Sequence, residues 1–229
     1  MNFDKPFRPA QFTEHTLIQS ILDGTYPSGA VLPSERKLAE QLGVTRPTIR
    51  EALQRLAGEG WITIHHGKPT QINNYWKTGG LRLLGTMARH SDVLPESFIL
   101  YLLELRVLLT PPIARHAVQN EPSIIYDKLA TRKKLKNTPE AFTKFDWQLQ
   151  QLMAIHSGNP VYLMILNDFT SIFKTMGVLY FIEKDARQAT LTYYENLQYA
   201  IEQKNIDIVE NIVRDTMEKS IKIWKQLNI

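Results

Sequence analysis

The sequence predicts a mainly α chain: an N-terminal winged helix-turn-helix with a small β-hairpin wing, followed by a C-terminal all-α antiparallel helical bundle. Two observations carry that expectation. Over the first 72 residues, the apolar spacing and the turn residues give the order helix, helix, turn, helix, two-stranded hairpin. After a short polar break, further segments repeat apolar residues at helical spacing, with neither strand-like alternation nor a fixed-period repeat.

The elements follow in order. Between Pro9 and Gly24, residues Phe12, Leu17, Ile18, Ile21 and Leu22 recur at helical spacing, and "YPSGAVLP" then supplies turn residues. Ser34 is suited to cap a short helix bearing Leu38 and Leu42 on one face, and Gly43 to end it in the left-handed conformation. Thr45 caps the next helix. There Pro47 falls in the first turn, where no intrahelical bond is lost, and Ile49, Ala52, Leu53 and Leu56 form the inner stripe. After Gly58 and Gly60, "WITIHHGKPTQINN" alternates as a strand, turns at a His-Gly-Lys tip and returns.

Residues 1–72 are therefore expected to form one domain and 73–80 a linker, in which "NN" and "GG" bracket Tyr75 and Trp76, two rings expected to dock against the bundle. Residues 81–229 form the second domain, with helices near 80–90, 95–119, 122–135, 139–156, 160–182, 185–203 and 206–227. The most apolar stretch, "NPVYLMILNDFTSIFKTMGVLYFIEK", is long enough to cross a membrane, but Asn167, Asp168 and Lys174 interrupt it. It is expected to be the central helix of the bundle.

Composition bounds the function. With 229 residues and 43% hydrophobic content, the chain can build a packed core. The 27 lysines and arginines only modestly outnumber the 23 acids, so where the charges sit matters more than their sum. The lack of cysteine excludes disulfides, thiolate metal sites and thiol catalysis, and fits a reducing compartment. "MNFDKPFRPAQF" has no apolar run of the signal-peptide kind, so the expected location is cytoplasmic.

The basic residues fall in two places. Arg46, Arg50 and Gln54 follow at four-residue steps on the third helix, away from the apolar stripe, so the polar row faces outward. Arginine pairs bidentately with guanine, and a helix N-terminus offers amide donors to phosphate. Arg46 and Arg50 are accordingly the leading candidates for contact with double-stranded DNA, with hydroxyl contacts from Thr45 and Thr48. Arg36 sits where the preceding helix of such a motif crosses the backbone, and His66, Gly67 and Lys68 belong to the wing.

"LPSERKLAEQLGVTRPTIREALQRLAGEGWI" resembles the N-terminal domain of the GntR family of bacterial transcription regulators, and "HHGKPTQINNYW" is similar to its FadR subfamily. The second domain resembles that subfamily at "SGNPVYLMILN", at "LYF" and at the Ser220 to Trp224 spacing. The resemblance implies a homodimeric repressor and activator of fatty acid metabolism genes. Such a protein binds a palindromic operator and releases it when long-chain fatty acyl-CoA, an effector rather than a cofactor, enters the helical domain. By position it implies DNA contacts from Arg36, Thr45, Arg46, Thr48, Arg50, His66 and Gly67, and ligand contacts from Arg106, Tyr180, Ser220 and Trp224. Pro47 stands where that subfamily is expected to have threonine.

Many members of the family hold a divalent metal through one aspartate and three histidines, and the metal holds a small carboxylate. Here Asp146 matches the aspartate, while Gln150, Tyr194 and Ser220 stand at the histidine positions, so no metal is expected. The alternative remains a GntR-type regulator that senses a small organic acid. His116 and His156 are each alone in their helices. The aromatic and methionine residues of the central segment, among them Tyr162, Met164, Phe169, Phe173, Met176, Tyr180 and Phe181, read by type and spacing as core, while the resemblance points to an acyl tunnel with Gly177 leaving room. "TRKKLKN" reads as a solvated face or as cations for the CoA end. No nucleophile elbow, phosphate-binding glycine loop or metalloprotease helix points to an enzyme.

Overall fold

The computed structural model describes residues 9–65, 67–90, 94 and 96–227. The chain divides into two compact units, Met1–Pro95 and Glu96–Ile229.

The first unit runs α1 (Pro9–Leu22), α2 (Glu35–Leu42), α3 (Arg46–Glu59), β1 (Ile62–Thr63), β2 (Gln71–Ile72), α4 (Tyr75–Thr78) and α5 (Leu81–Arg89). Both expected caps form: Ser34 Oγ accepts from the Lys37 amide and Thr45 Oγ1 from the Thr48 amide. Gly43 (φ 65°) and Gly60 (φ 96°) end α2 and α3 in the left-handed region, which glycine enters without steric cost. Leu17, Ile18 and Ile21 of α1 pack with Ile49, Leu53 and Leu56 of α3, all buried. Each such side chain contributes about 1.5–3 kcal/mol of transfer free energy, so this seam sets the position of α3.

The wing is short. β1 and β2 pair antiparallel at Ile62↔Ile72 and Thr63↔Gln71, and Val31 bridges Gln71. Asn73 closes its base in three ways. Its amide donates to the Trp61 carbonyl at 2.9 Å, its side-chain Nδ2 to the Gly60 carbonyl at 2.9 Å, and its Oδ1 accepts from Thr63 Oγ1 at 2.7 Å.

Residues 73–80 contain a helical turn, and the Tyr75 ring lies 5.3 Å from that of Trp61, within the first unit. Trp61 is fully buried and gives Tyr75 an apolar face to cover. Residues 81–89, assigned by sequence to the second domain, pack in the first unit: Leu83 and Met87 are buried there and Arg89 pairs with Glu59 at 3.1 Å.

The second unit comprises α6 (Glu96–Asn120), α7 (Pro122–Ala130), α8 (Pro139–His156), α9 (Pro160–Asp168), α10 (Thr170–Ile182), α11 (Lys184–Glu202) and α12 (Val209–Trp224). Its main core joins Ala114 and Ala117 of α6, Leu149 and Met153 of α8, Tyr194 and Leu197 of α11, and Val213 of α12. α6 is long and apolar enough to cross a membrane by length and composition alone, and here it packs along α12 and α8. It continues through Pro111 and Pro112, although an interior proline removes an amide donor. Val107, four residues before Pro111, is compensated: its carbonyl accepts from Arg214 at 3.3 Å.

The segment expected at the centre of the bundle is not there. It breaks at Phe169 (φ −92°, ψ 4°), whose amide bonds to the Leu166 carbonyl three residues back. α9 has no buried residue, and α10 buries only Ile172 and Phe181. The core belongs to α6, α7, α8, α11 and α12, and the apolar character of α9 and α10 serves a cavity instead.

Candidate nucleic-acid interface and effector cavity

Because the α3 stripe faces α1, the opposite side of the helix turns its N-terminal half to solvent. Thr45, Arg46 and Arg50 are exposed and Thr48 is partly so, with 56% and 60% of the two arginine side chains accessible. Arg36 is exposed on α2 and pairs with Glu40 at 3.4 Å. On the wing, Lys68 is exposed and Gly67 has φ 70°, a conformation that glycine allows at a tight tip. His66 lies outside the described residues.

A residue the sequence reading passed over organises this face. Glu35, the first residue of α2, accepts from Arg50 Nε at 2.7 Å and lies 3.7 Å from Arg46 Nη2. Exposed pairs are worth only about 0.2–1 kcal/mol, so the carboxylate contributes orientation more than stability. It holds two guanidiniums one helical turn apart. An acid in the first turn of a helix is common, so "SERK" carries no sign of this role.

The second unit encloses a cavity of about 160 Å³ between α6, α8, α9, α10, α11 and α12. Arg106, Tyr180, Ser220 and Trp224 all line it, so the four ligand candidates converge. So do Tyr162, Phe169, Phe173, Met176 and Phe181, the last of which is also buried in a smaller core with Phe142, Ala186 and Ile223, whereas Met164 does not line it and is 68% exposed. Gly177 also lines the cavity, but the space beside it is taken: a β-carbon there would stand 2.7 Å from Thr143 Cγ2. Its role is close approach of α10 to α8, not room for a chain.

Within this apolar wall sits a set of polar side chains around Asp146. Asp146 is buried, and Tyr194 donates its hydroxyl to Asp146 Oδ1 at 2.9 Å. Burial pushes the Asp146 carboxyl up, and Arg106, Tyr194 and Gln150 only partly counter this by favouring the ionised form. Burial likewise raises the phenols of Tyr180, Tyr193 and Tyr194, so they remain hydrogen-bond donors. The Arg106 guanidinium lies 5.5 Å from the centroid of the Phe173 ring, a cation–π contact that keeps it at the wall. The Ser220 hydroxyl donates to the Met217 carbonyl at 2.6 Å.

Asp146, Gln150 and Ser220 do come together on the wall, as the metal-binding arrangement would require. Their chemistry does not suit a divalent ion. Tyr194, at the third position, is bonded to Asp146, and an amide, a phenol and a hydroxyl are weak substitutes for imidazole. Among the described residues, no three His, Cys, Asp or Glu side chains cluster to hold a metal. His116 and His156 do not line the cavity. In the basic run, Lys133, Lys134 and Lys136 are exposed, while Arg132 is bonded to the Leu129 carbonyl and to Gln198, which fits a solvated face.

Sequence reasoning left two wall residues without a role. Gln150 was noted only as a replaced histidine, and Tyr193 not at all, yet both are buried and line the cavity. A signal did exist for Gln150: it stands one helical turn after Asp146 on a face of α8 that also carries Phe142, Leu149 and Met153.

Comparison with known proteins agrees with both halves. The family model "Bacterial regulatory proteins, gntR family" matches residues 9–72, and "FadR C-terminal domain" matches residues 73–229. A "Fatty acid metabolism regulator protein" of Shewanella denitrificans is 43% identical over 222 residues, covering 96% of this chain and 92% of that one. Its counterpart in Shewanella sp. (strain MR-7) is 40% identical, with 96% and 91% covered. A solved structure titled "Lar controls the expression of the Listeria monocytogenes agr system and mediates virulence" superimposes with a TM-score of 0.65 over all of both chains. At 14% identity it supports the fold alone. These relatives and families are regulators, not enzymes. With the gntR model on residues 9–72 and the FadR model on residues 73–229, the chain belongs to the GntR family, as a FadR-type regulator of fatty acid metabolism.

Proposed function

We propose that the protein binds a palindromic operator as a homodimer, inserting α3 into the major groove and the wing beside it, and releases it when long-chain acyl-CoA enters the second unit. The observation that carries the ligand half is the convergence of Arg106, Tyr180, Ser220 and Trp224 on one apolar cavity that has no metal-binding donor set. The DNA half draws support from Arg36, Arg46, Arg50 and Lys68, all exposed, with two of them held as a pair by Glu35. The expected compartment is the cytoplasm, where the DNA is.

Size gives the mechanism its direction. A cavity of 160 Å³ is close to the roughly 150 Å³ engineered site that holds one benzene, far less than a long acyl chain occupies. A long chain therefore either continues through the cavity's open side or pushes part of the wall outward. Of the helices that line the cavity, α9 and α10 carry the fewest buried residues and yield first, and the rearranged bundle then alters the spacing of the paired DNA-binding units.

The test selects a preferred duplex from random sequences and titrates the complex with hexadecanoyl-CoA or with short carboxylates plus divalent metal. Release by hexadecanoyl-CoA alone is expected. Release only by carboxylate with metal would establish the organic-acid alternative, and equal affinity for all duplexes would remove the regulator reading, since a regulator prefers its site by about 10³–10⁷.

A further inference from the structure

We propose that Gln150 and Tyr193 form a receptor inside the cavity for a neutral oxygen atom carried by the acyl ligand: the thioester carbonyl or a hydroxyl near it. The inference rests on the acyl-CoA reading above and adds which chemical group the wall recognises.

The argument begins from hydrogen-bond accounting. Gln150 is 5% exposed and Tyr193 2%, and both line the cavity. Neither Gln150 Nε2 nor the Tyr193 hydroxyl has a hydrogen-bond partner among the described residues. The Gln150 amide is near enough to favour an ionised Asp146, but makes no bond of normal geometry to it. Other polar groups of this unit are engaged. The Tyr194 hydroxyl is spent on Asp146, the Ser220 hydroxyl on a backbone carbonyl, and Thr143 Oγ1 on the Pro139 carbonyl. Buried donors without partners are rare because they lose water and gain nothing. Two such donors, on residues of one cavity wall, mark a place where a ligand supplies an acceptor.

Charge narrows which acceptor. Tyr193 shares the wall with Asp146 and Arg106, and its phenol feels the charge of both. A ligand carboxylate there would face Asp146, whereas a neutral oxygen avoids that repulsion. A phenol O–H and an amide N–H together match the two lone pairs of one carbonyl or hydroxyl oxygen. The surrounding wall of Leu102, Phe169, Phe173 and Met176 accepts the hydrocarbon on either side.

The experiment measures binding of three ligands to the full-length protein by calorimetry: hexadecanoyl-CoA, its thioether analogue hexadecyl-CoA, which lacks the carbonyl, and 3-hydroxyhexadecanoyl-CoA. The wild type is expected to favour an oxygen-bearing ligand at least about tenfold, since a site built to hydrogen-bond an oxygen rejects the analogue lacking it. If the carbonyl is the bound oxygen, hexadecanoyl-CoA exceeds the thioether. If it is the hydroxyl, only the 3-hydroxy compound does. Tyr193→Phe and Gln150→Leu should each shrink that preference towards one while leaving the thioether bound as well as before or better. Tyr193→Phe keeps the ring and its packing, so it carries the test even where Gln150→Leu fails to fold. Equal binding of all three ligands by the wild type, or a preference that survives both substitutions, overturns the inference while the acyl-CoA reading stands. Failure of the wild type to bind any of them overturns that reading and this one with it.

Discussion

Replacing Gly177 with alanine tests the α8–α10 seam that walls the cavity. The added methyl would stand 2.7 Å from Cγ2 and 3.2 Å from Oγ1 of Thr143. An unstrained carbon pair needs about 3.5–4.0 Å, so the helices must part by several tenths of an ångström or more. Thr143 cannot easily turn aside, because it is 4% exposed and its hydroxyl is bonded to the Pro139 carbonyl at 2.8 Å. Overpacking of this kind costs about 1–3 kcal/mol. Against it, alanine in a helix interior gains about 0.5–1 kcal/mol over glycine. The net expectation is a loss of about 0.5–2 kcal/mol, or a melting temperature lower by several degrees in a chain of this size. Adding Thr143→Ser removes the clashing Cγ2 methyl, so the double variant should recover most of the loss, a coupling that urea unfolding of the two singles and the double would reveal. If Gly177→Ala raises stability, and by the same amount with threonine or serine at 143, the helices do not approach as described and the wall argument fails.

Other expectations follow from the two sites. Arg46→Ala or Arg50→Ala should weaken binding to the selected duplex by about 1–3 kcal/mol if the side chain reads a base, seen by titration with labelled duplex. Wild-type affinity and selectivity would remove that residue from the interface. Glu35→Gln frees both guanidiniums and deletes a negative charge, so binding to unrelated duplexes should tighten and its log–log salt slope steepen by up to about 0.9 per DNA-binding unit. An unchanged slope would show that Glu35 has no bearing on the DNA face. Asp146 has a folded-state pKa above its unfolded value, so the folded state binds more protons and stability is lost as pH rises from the unfolded pKa through the folded one. Asp146→Asn should lack that loss, so its stability relative to wild type should improve with rising pH in that window by at most about 1.4 kcal/mol per unit. A difference that is flat or falls with pH from 4 to 8 would refute it.

Local chemistry made the first unit legible. Ser34, Gly43, Thr45 and the Ile49–Leu56 stripe are short-range signals, and each appears in the structure in its expected role. Tertiary choices were harder to see. The apolar residues of 160–182 satisfy a buried helix and a cavity wall equally well, and only packing partners separate the two. Helical spacing continues across Phe169, so periodicity gives no sign of the break there. Leu83 and Met87 form an ordinary amphipathic stripe whose choice of unit cannot be read from the stripe. In the sites, charge and spacing singled out Arg46 and Arg50, and the family resemblance singled out Arg106 and Tyr180, whereas Glu35, Gln150 and Tyr193 stand out only through their surroundings in space.

Asn73 has a mechanical consequence. Sequence composition makes it the first residue of a flexible tether, yet its amide and side chain grip Gly60, Trp61 and Thr63, immediately beyond the C-terminal end of α3. A pull applied to the chain at residue 74 is therefore not absorbed as slack. It either breaks three short bonds together or drags the foot of α3, which makes the exit from the wing a stiff lever.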